Sequence, residues 1–238
     1  MSSMVRPVDP DSKEWEELSK ISHNTSLFVT PEWLKQEKGV MVVGHFVDGR
    51  ITTGMVASES LAKGPVAPYQ GLLTTNRSNF KTVSQLVEWL EGVGGFPVVW
   101  NAPSLIDVRP WYARQGSRWL TQIKYTYYTY RPQTSMEAVE DLVPLETTGE
   151  ALNDMGAPEW FEETDCIFLW GHAKGEGMVL WGVDPQNRGY YLYGKGDVTP
   201  IMEGLVNMHE SADLAGTEGW KRQFSPKLRT IYGMIRSG

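Results

Sequence analysis

The feature that most constrains this chain is an order of elements that occurs twice. Two strand-like runs at 40–47 and 51–59 meet at Asp48-Gly49, a Pro/Gly-rich loop follows over 63–71, and a helical stripe of Phe80, Val83, Leu86, Val87 and Leu90 ends near Gly92, Gly94 and Gly95. Asp-Gly between apolar runs is a hairpin signal, and apolar residues three and four apart mark one face of a helix. From Asp165 the order returns. Strands at 166–172 and 178–183 flank Lys174-Gly175-Glu176-Gly177, a turn at Asp184-Pro185-Gln186-Asn187 leads to a strand at 189–193, and a helix follows near 199–210. Gly44-His45 matches Gly171-His172, Pro68-Tyr69 answers Leu192-Tyr193, and Leu86-Val87 corresponds to Leu205-Val206. Self-similarity of this period is what duplication produces, here of an α/β (α+β) unit with one copy over 1–133 and the other over 134–238; the alternative is the likeness that any two hairpin–loop–helix segments share.

The remaining segments fill out the two copies. Asp11 followed by Glu14 reads as a capping start for a helix over 11–22 that places Trp15, Leu18 and Ile21 on one face. A short second helix starts at Thr30-Pro31, with Thr30 as cap and Pro31 in the first turn. Phe96 to Trp100 reads as a buried strand, Leu120 to Tyr130 as a long aromatic one, and 228–235 as the last strand. The polar stretch 131–160, broken by Pro and Gly, reads as the link between the halves.

Composition narrows the functions. A chain of 238 residues with formal charge −7 and pI near 5.2 lacks the balance of a broad basic nucleic-acid surface, although a small local contact stays compatible with it. Cys166 is the single cysteine and sits in an apolar run, so neither an internal disulfide framework nor a cysteine metal site can be built. No uncharged apolar run reaches membrane length, and the first residues have no apolar leader core. The expectation is a reduced, cytoplasmic protein that does not insert into a membrane.

Several ordered fragments resemble one family. Ser26-Leu27-Phe28-Val29-Thr30-Pro31-Glu32-Trp33-Leu34, Pro68-Tyr69-Gln70-Gly71, Asp107-Val108-Arg109-Pro110-Trp111 with Lys124-Tyr125-Thr126-Tyr127, Gly189-Tyr190-Tyr191-Leu192-Tyr193-Gly194 and Gly219-Trp220-Lys221-Arg222-Gln223-Phe224 are similar to segments of FemAB/FemX-like aminoacyltransferases. The resemblance covers most of 26–130 and 165–235. It implies two tandem GNAT-like units, each a mixed, mostly antiparallel sheet flanked by helices. It also implies transfer of an aminoacyl or acyl group onto an amine of a small molecule, a peptide or a cell-wall precursor. The donor implied is an aminoacyl-tRNA touched only at its acceptor end, or alternatively an acyl-CoA, with no tightly bound cofactor. Two departures stand out: 131–164 is shorter than usual and lacks the basic helix of many relatives, and the usual "F-D-x-x-G" is Ala212-Asp213-Leu214-Ala215-Gly216. They keep a third reading open, a non-catalytic binding module descended from the same fold.

Acyl transfer to an amine needs a neutral amine aligned with the carbonyl and donors for the developing oxyanion. No Gly-x-Ser-x-Gly elbow is present, which disfavours a covalent hydrolase route. Tyr193, Gly194, Lys195 and Gly196 lie after a strand and before a helix, where backbone N–H groups suit a donor phosphate; a Gly-rich structural turn explains the same residues. Lys221 is a further donor contact, and a solvated surface is its alternative. Tyr127, Tyr191 and Asp213 are the candidate catalytic groups, with Asp213 placed to accept the amine proton. The tyrosines are also what a pleated aromatic strand requires. Tyr69, Asp107 and Arg109 are the candidate substrate-binding residues, with Arg109 gripping a carboxylate or phosphate; Asp107 and Arg109 alternatively form a structural ion pair. His45 and His172 are read as strand histidines, and no metal site is expected.

Overall fold

The computed structural model describes residues 2–59, 70–75, 80–94, 98–101, 109–112, 118–130 and 137–236. The chain forms two compact units, residues 1–124 together with 230–238, and residues 125–229.

In the first unit β1 (Ser3–Pro7) runs antiparallel to β2 (Val40–Val47), and β2 antiparallel to β3 (Arg50–Ser58). The β2–β3 turn is the Asp48-Gly49 pair, with φ of 47° and 81°, the left-handed geometry whose twist suits a two-residue hairpin. β3 pairs with β4 (Leu72–Thr74) and touches β5 (Val98–Asn101), and β5 runs antiparallel to residues 232–235 of the last strand, β12 (Lys227–Arg236). Helix α1 (Lys13–Ile21) is capped by Ser12 Oγ, which accepts from Trp15 N at 3.3 Å. The cap therefore falls one residue after the expected Asp11. Trp15 and Leu18 are buried, whereas Ile21 ends the helix and is exposed. Helix α2 (Pro31–Leu34) starts as expected, with Thr30 Oγ1 accepting from Trp33 N at 3.4 Å and Pro31 in the first turn.

Both faces of this sheet are covered. Val83, Leu86, Val87 and Leu90 of α3 (Phe80–Val93) bury against Val43, Met55, Ala57 and Val99, while Phe80 stays exposed. Trp15, Leu18, Val29 and Leu34 bury against Val42, Phe46, Val56 and Leu73. Trp15 lies flat on the sheet because Gly54 beneath it has no side chain; a Cβ there would fall inside the ring. Helix α4 (Arg109–Tyr112) and residues 119–124 of β6 (Trp119–Tyr130) also belong to this unit.

The second unit repeats the plan. Residues 128–130 of β6 pair antiparallel with β11 (Ser211–Asp213), β11 pairs parallel with β10 (Gly189–Lys195), and β9 (Met178–Val183), β8 (Ile167–His172) and β7 (Leu142–Leu145) continue the sheet antiparallel. Helix α7 (Thr199–Met208) buries Ile201, Met202, Leu205 and Val206 against Val179, Trp181 and Ala212. Trp181 lies over Gly189 as Trp15 lies over Gly54.

The stretch expected to be a link is instead part of this unit. Helix α5 (Glu137–Glu140), β7, α6 (Gly149–Met155) and a 3-10 turn at Glu159–Glu163 are all built from it. Pro144 hid the strand, because proline is tolerated only at a sheet edge, and β7 is the edge neighbour of β8.

Candidate functional site

The chemistry-bearing residues of the second unit gather where β10 leaves β11. Their parallel pairing covers only Gly189 with Ala212 and Tyr190 with Asp213. β11 ends at Asp213, while β10 runs on to Lys195 and shifts register against β9 between Tyr191 and Tyr193. A bulge bends a strand and re-aims its side chains.

Strand alternation then divides the expected catalytic residues. Asp213 stands opposite Tyr128, on the face that also carries Thr126. Its carboxylate is buried, and Oδ1 accepts from Thr126 Oγ1 at 2.7 Å and from Ala215 N at 2.8 Å. Tyr127 and Tyr191 point to the other face, where both pack on the α7 core. So the structure brings the two tyrosines together and turns the Asp213 carboxylate toward the opposite side.

Lys221 joins the tyrosines. It lies in a 3-10 helix, Gly219–Phe224, reached through a turn in which Ala215 (φ 47°) and Gly216 (φ 69°) adopt the left-handed conformation. That turn aims the Ala215 carbonyl at the Lys221 ammonium, which donates to it; Glu218 Oε2 lies 2.6 Å from the same Nζ. The ammonium sits 4.8 Å from the centre of the Tyr191 ring and 5.4 Å from that of Trp220. Lys221 is 2% exposed, and this burial lowers its pKa even though Glu218 and Asp213 work to raise it. Burial of Glu218 opposes its charge, yet the Lys221 hydrogen bond prevails and holds that carboxyl below its usual value. The partners shift the same way because they are unequally buried: the Glu218 side chain is 56% exposed. Tyr191 is raised by burial and then by the Glu218 charge. Its ring meets Trp220 edge-on at 5.8 Å. Arg222 Nε donates to Tyr127 Oη at 3.1 Å. Glu218, Trp220 and Arg222 were missed from sequence; their proximity to Lys221 in the chain was the available signal.

The expected phosphate loop has another set of contacts. Lys195 is paired with Asp154 across an exposed surface, and Tyr193 packs edge-on against Phe161 at 6.1 Å, its pKa raised by burial. A Cβ at Gly194 would stand 2.5 Å from the Tyr191 hydroxyl, so glycine is needed for the ring to lie there. Gly196 has φ 71° and approaches the backbone of Glu176 and Gly177. Asp197 Oδ1 accepts from Thr199 N at 3.2 Å, so a carboxylate already occupies the start of α7.

In the first unit Arg109 is exposed, its guanidinium 5.9 Å from the centre of the Phe80 ring. Tyr69 and Asp107 lie outside the described residues. His45 is buried 3.3 Å from Thr52 Oγ1, and His172 Nδ1 accepts from Lys174 N at 3.2 Å. Among the described residues no three His, Cys, Asp or Glu side chains form a group able to hold a metal ion, and no helix is long and apolar enough to cross a membrane.

Two units of mostly antiparallel sheet, each flanked by helices and one showing the parallel pair beside a bulged strand, define a tandem GNAT-type fold. Among solved structures the chain is similar to FemX, with a TM-score of 0.62 at 12% identity over 99% of this chain and 97% of that one. It is also similar to a tandem GNAT protein from the clavulanic acid biosynthesis pathway, with a TM-score of 0.50 at 9% identity over 100% of this chain and 99% of that one. No protein-family model and no curated protein matches the sequence. At these identities the likeness establishes the fold.

Proposed function

We propose that the chain is an N-acyltransferase that takes an aminoacyl group from an aminoacyl-tRNA and forms an amide on an amine acceptor, a small molecule or a peptide. The observation that carries the reading is the buried Lys221 ammonium, fixed by Ala215 and Glu218 beside Tyr191 at the point where β10 leaves β11. A perturbed, buried charge held in one geometry is what a developing oxyanion requires, because the donor is already oriented before charge appears. In the reaction the amine nitrogen bonds to the ester carbonyl, the oxyanion faces Lys221, and the C–O bond breaks. The proton lost by the amine ends on the released hydroxyl. Tyr127, held by Arg222, and Tyr191 shape the acyl pocket, while Asp213 acts through the turn that aims Ala215.

An acyl-CoA donor is the second reading, and the tandem GNAT neighbour favours the fold it needs. Against it stands the Asp197 carboxylate at the first amide of α7, where a diphosphate would meet a like charge. Both donors belong to the cytoplasm, the proposed place of action, and neither is a tightly bound cofactor. The test supplies labelled aminoacyl-tRNA or acyl-CoA with a panel of amines and peptides and seeks a new amide by mass spectrometry. Product with aminoacyl-tRNA is expected. Product with neither donor sinks the enzyme reading and leaves the binding module.

A further inference from the structure

Among the described residues of the first unit, Gln70 and Trp100 carry buried side-chain polar atoms of opposite sense that have no hydrogen-bond partner. Gln70 is 4% exposed; its Nε2 donates to Phe28 O at 2.9 Å, but Oε1 has no hydrogen-bond partner among the described residues. Trp100 is 1% exposed, and its Nε1–H likewise has none. The two residues are neighbours in space, since Gln70 N donates to Trp100 O at 3.0 Å. A buried acceptor and a buried donor left unmatched on neighbouring residues each cost about 1–3 kcal/mol, so such a pair calls for an explanation.

Other features separate this place from ordinary core packing. Trp181 in the second unit also has an unpartnered indole nitrogen, but its ring is stacked on His209 inside an apolar core. Trp100 lies over Gly233, where a Cβ would clash with the ring, and Lys124 Nζ sits 4.1 Å from the ring centre on a half-buried stem. Burial lowers the pKa of Lys124. The indole is thus clamped in one orientation.

We infer that Gln70 and Trp100 form a recognition site for an amide group, the peptide unit or carboxamide of the acceptor. Its carbonyl oxygen accepts from Trp100 Nε1–H, and its N–H donates to Gln70 Oε1. A carboxylate satisfies the indole but offers nothing to Gln70, and an ammonium does the reverse; an amide answers both. Assigning the ligand to the acceptor rests on the acyl-transfer reading, but binding itself does not.

The test therefore contains no donor. ¹H–¹⁵N spectra of the full chain are recorded with N-acetylglycinamide, with sodium acetate and with methylammonium chloride. The Trp100 indole cross-peak is identified by its loss in Trp100→Phe or, where that variant does not fold, by its proximity to the Gly233 α-protons. The amide should move this peak with saturation, acetate, which engages the indole alone, should move it less at equal concentration, methylammonium should not move it, and Trp100→Phe should weaken amide binding about threefold to tenfold, read on the Gln70 side-chain NH₂ signals. An unmoved indole peak, or an equal shift with acetate, overturns the site. Failure of acyl transfer in the separate assay leaves this result readable.

Discussion

Each unit places a lysine ammonium against an aromatic ring, and in each the burial lowers its pKa, yet the surroundings differ. Lys221 is held by a carboxylate and a backbone carbonyl supplied by one short turn, and it is 2% exposed. Lys124 projects from a strand as a half-buried side chain over the Trp100 indole, whose N–H has no hydrogen-bond partner among the described residues. The same is true of the strands that carry the sites: β11 ends on Asp213, whose carboxylate closes a turn, whereas β5 ends on Asn101 opposite Tyr232. One unit presents a charge with its geometry already fixed; the other keeps a buried indole N–H and a buried amide oxygen that have no hydrogen-bond partner among the described residues. A duplicated fold can thus separate chemistry from recognition by changing which strand end is tied off.

The largest effect expected from this contrast is kinetic. Lys221→Met should lower kcat of the proposed transfer by about 10²–10³, the size typical of losing one oxyanion donor, while Lys124→Met should act mainly on KM for the acceptor. Steady-state kinetics on both variants separate the roles. Equal losses in kcat from the two substitutions would erase the division of labour.

A second contrast is structural, since both units rest a tryptophan on a glycine. Gly54→Ala drives a Cβ into Trp15, and Gly189→Ala drives one into Trp181. Each should destabilise by about 1–3 kcal/mol, as overpacked cores do. Hydrogen exchange followed by residue should show Gly54→Ala loosening amides of β2 and β3, and Gly189→Ala those of β9 and β10. Uniform loosening across the whole chain would mean that the two units do not open separately.

Much of this plan was legible in the sequence. The Asp48-Gly49 turn, the Thr30-Pro31 helix start and the stripe Val83, Leu86, Val87 and Leu90 are local signals, and each produced the element expected from it. The early strand Ser3–Pro7 and the edge strand Leu142–Leu145 were not read, because neither shows apolar alternation: β1 has no fully buried residue and β7 contains Pro144. The candidate site was legible as a set of residues, not as an arrangement. That Tyr127 and Tyr191 share a face and Asp213 does not depends on a register between strands far apart in the chain. The role of Ala215 depends on a left-handed backbone that Asp213-Leu214-Ala215-Gly216 gives little sign of.

The pH dependence of the two lysines sharpens the comparison further. The folded pKa of Lys221 lies below its unfolded value of 10.5, so between those two values the unfolded chain binds the proton more strongly. Stability relative to Lys221→Met should therefore rise with pH across that window. Transfer, which needs the ammonium, should fall across the same window. Rate and stability moving in the same direction would show that the neutral amine, not the ammonium, is the active form of Lys221.

The smallest expected effect bears on the donor. Asp197→Asn keeps an acceptor for Thr199 N and removes the charge at the start of α7. A charge in the first turn changes anion affinity by about 0.3–1 kcal/mol, so CoA should bind roughly two- to fivefold more tightly to the variant, with stability altered by less than about 1 kcal/mol. Calorimetry on both proteins measures it. If the native chain already binds CoA as tightly as Asp197→Asn, the carboxylate does not discriminate between donors, and the preference for an aminoacyl ester loses its support from the second unit.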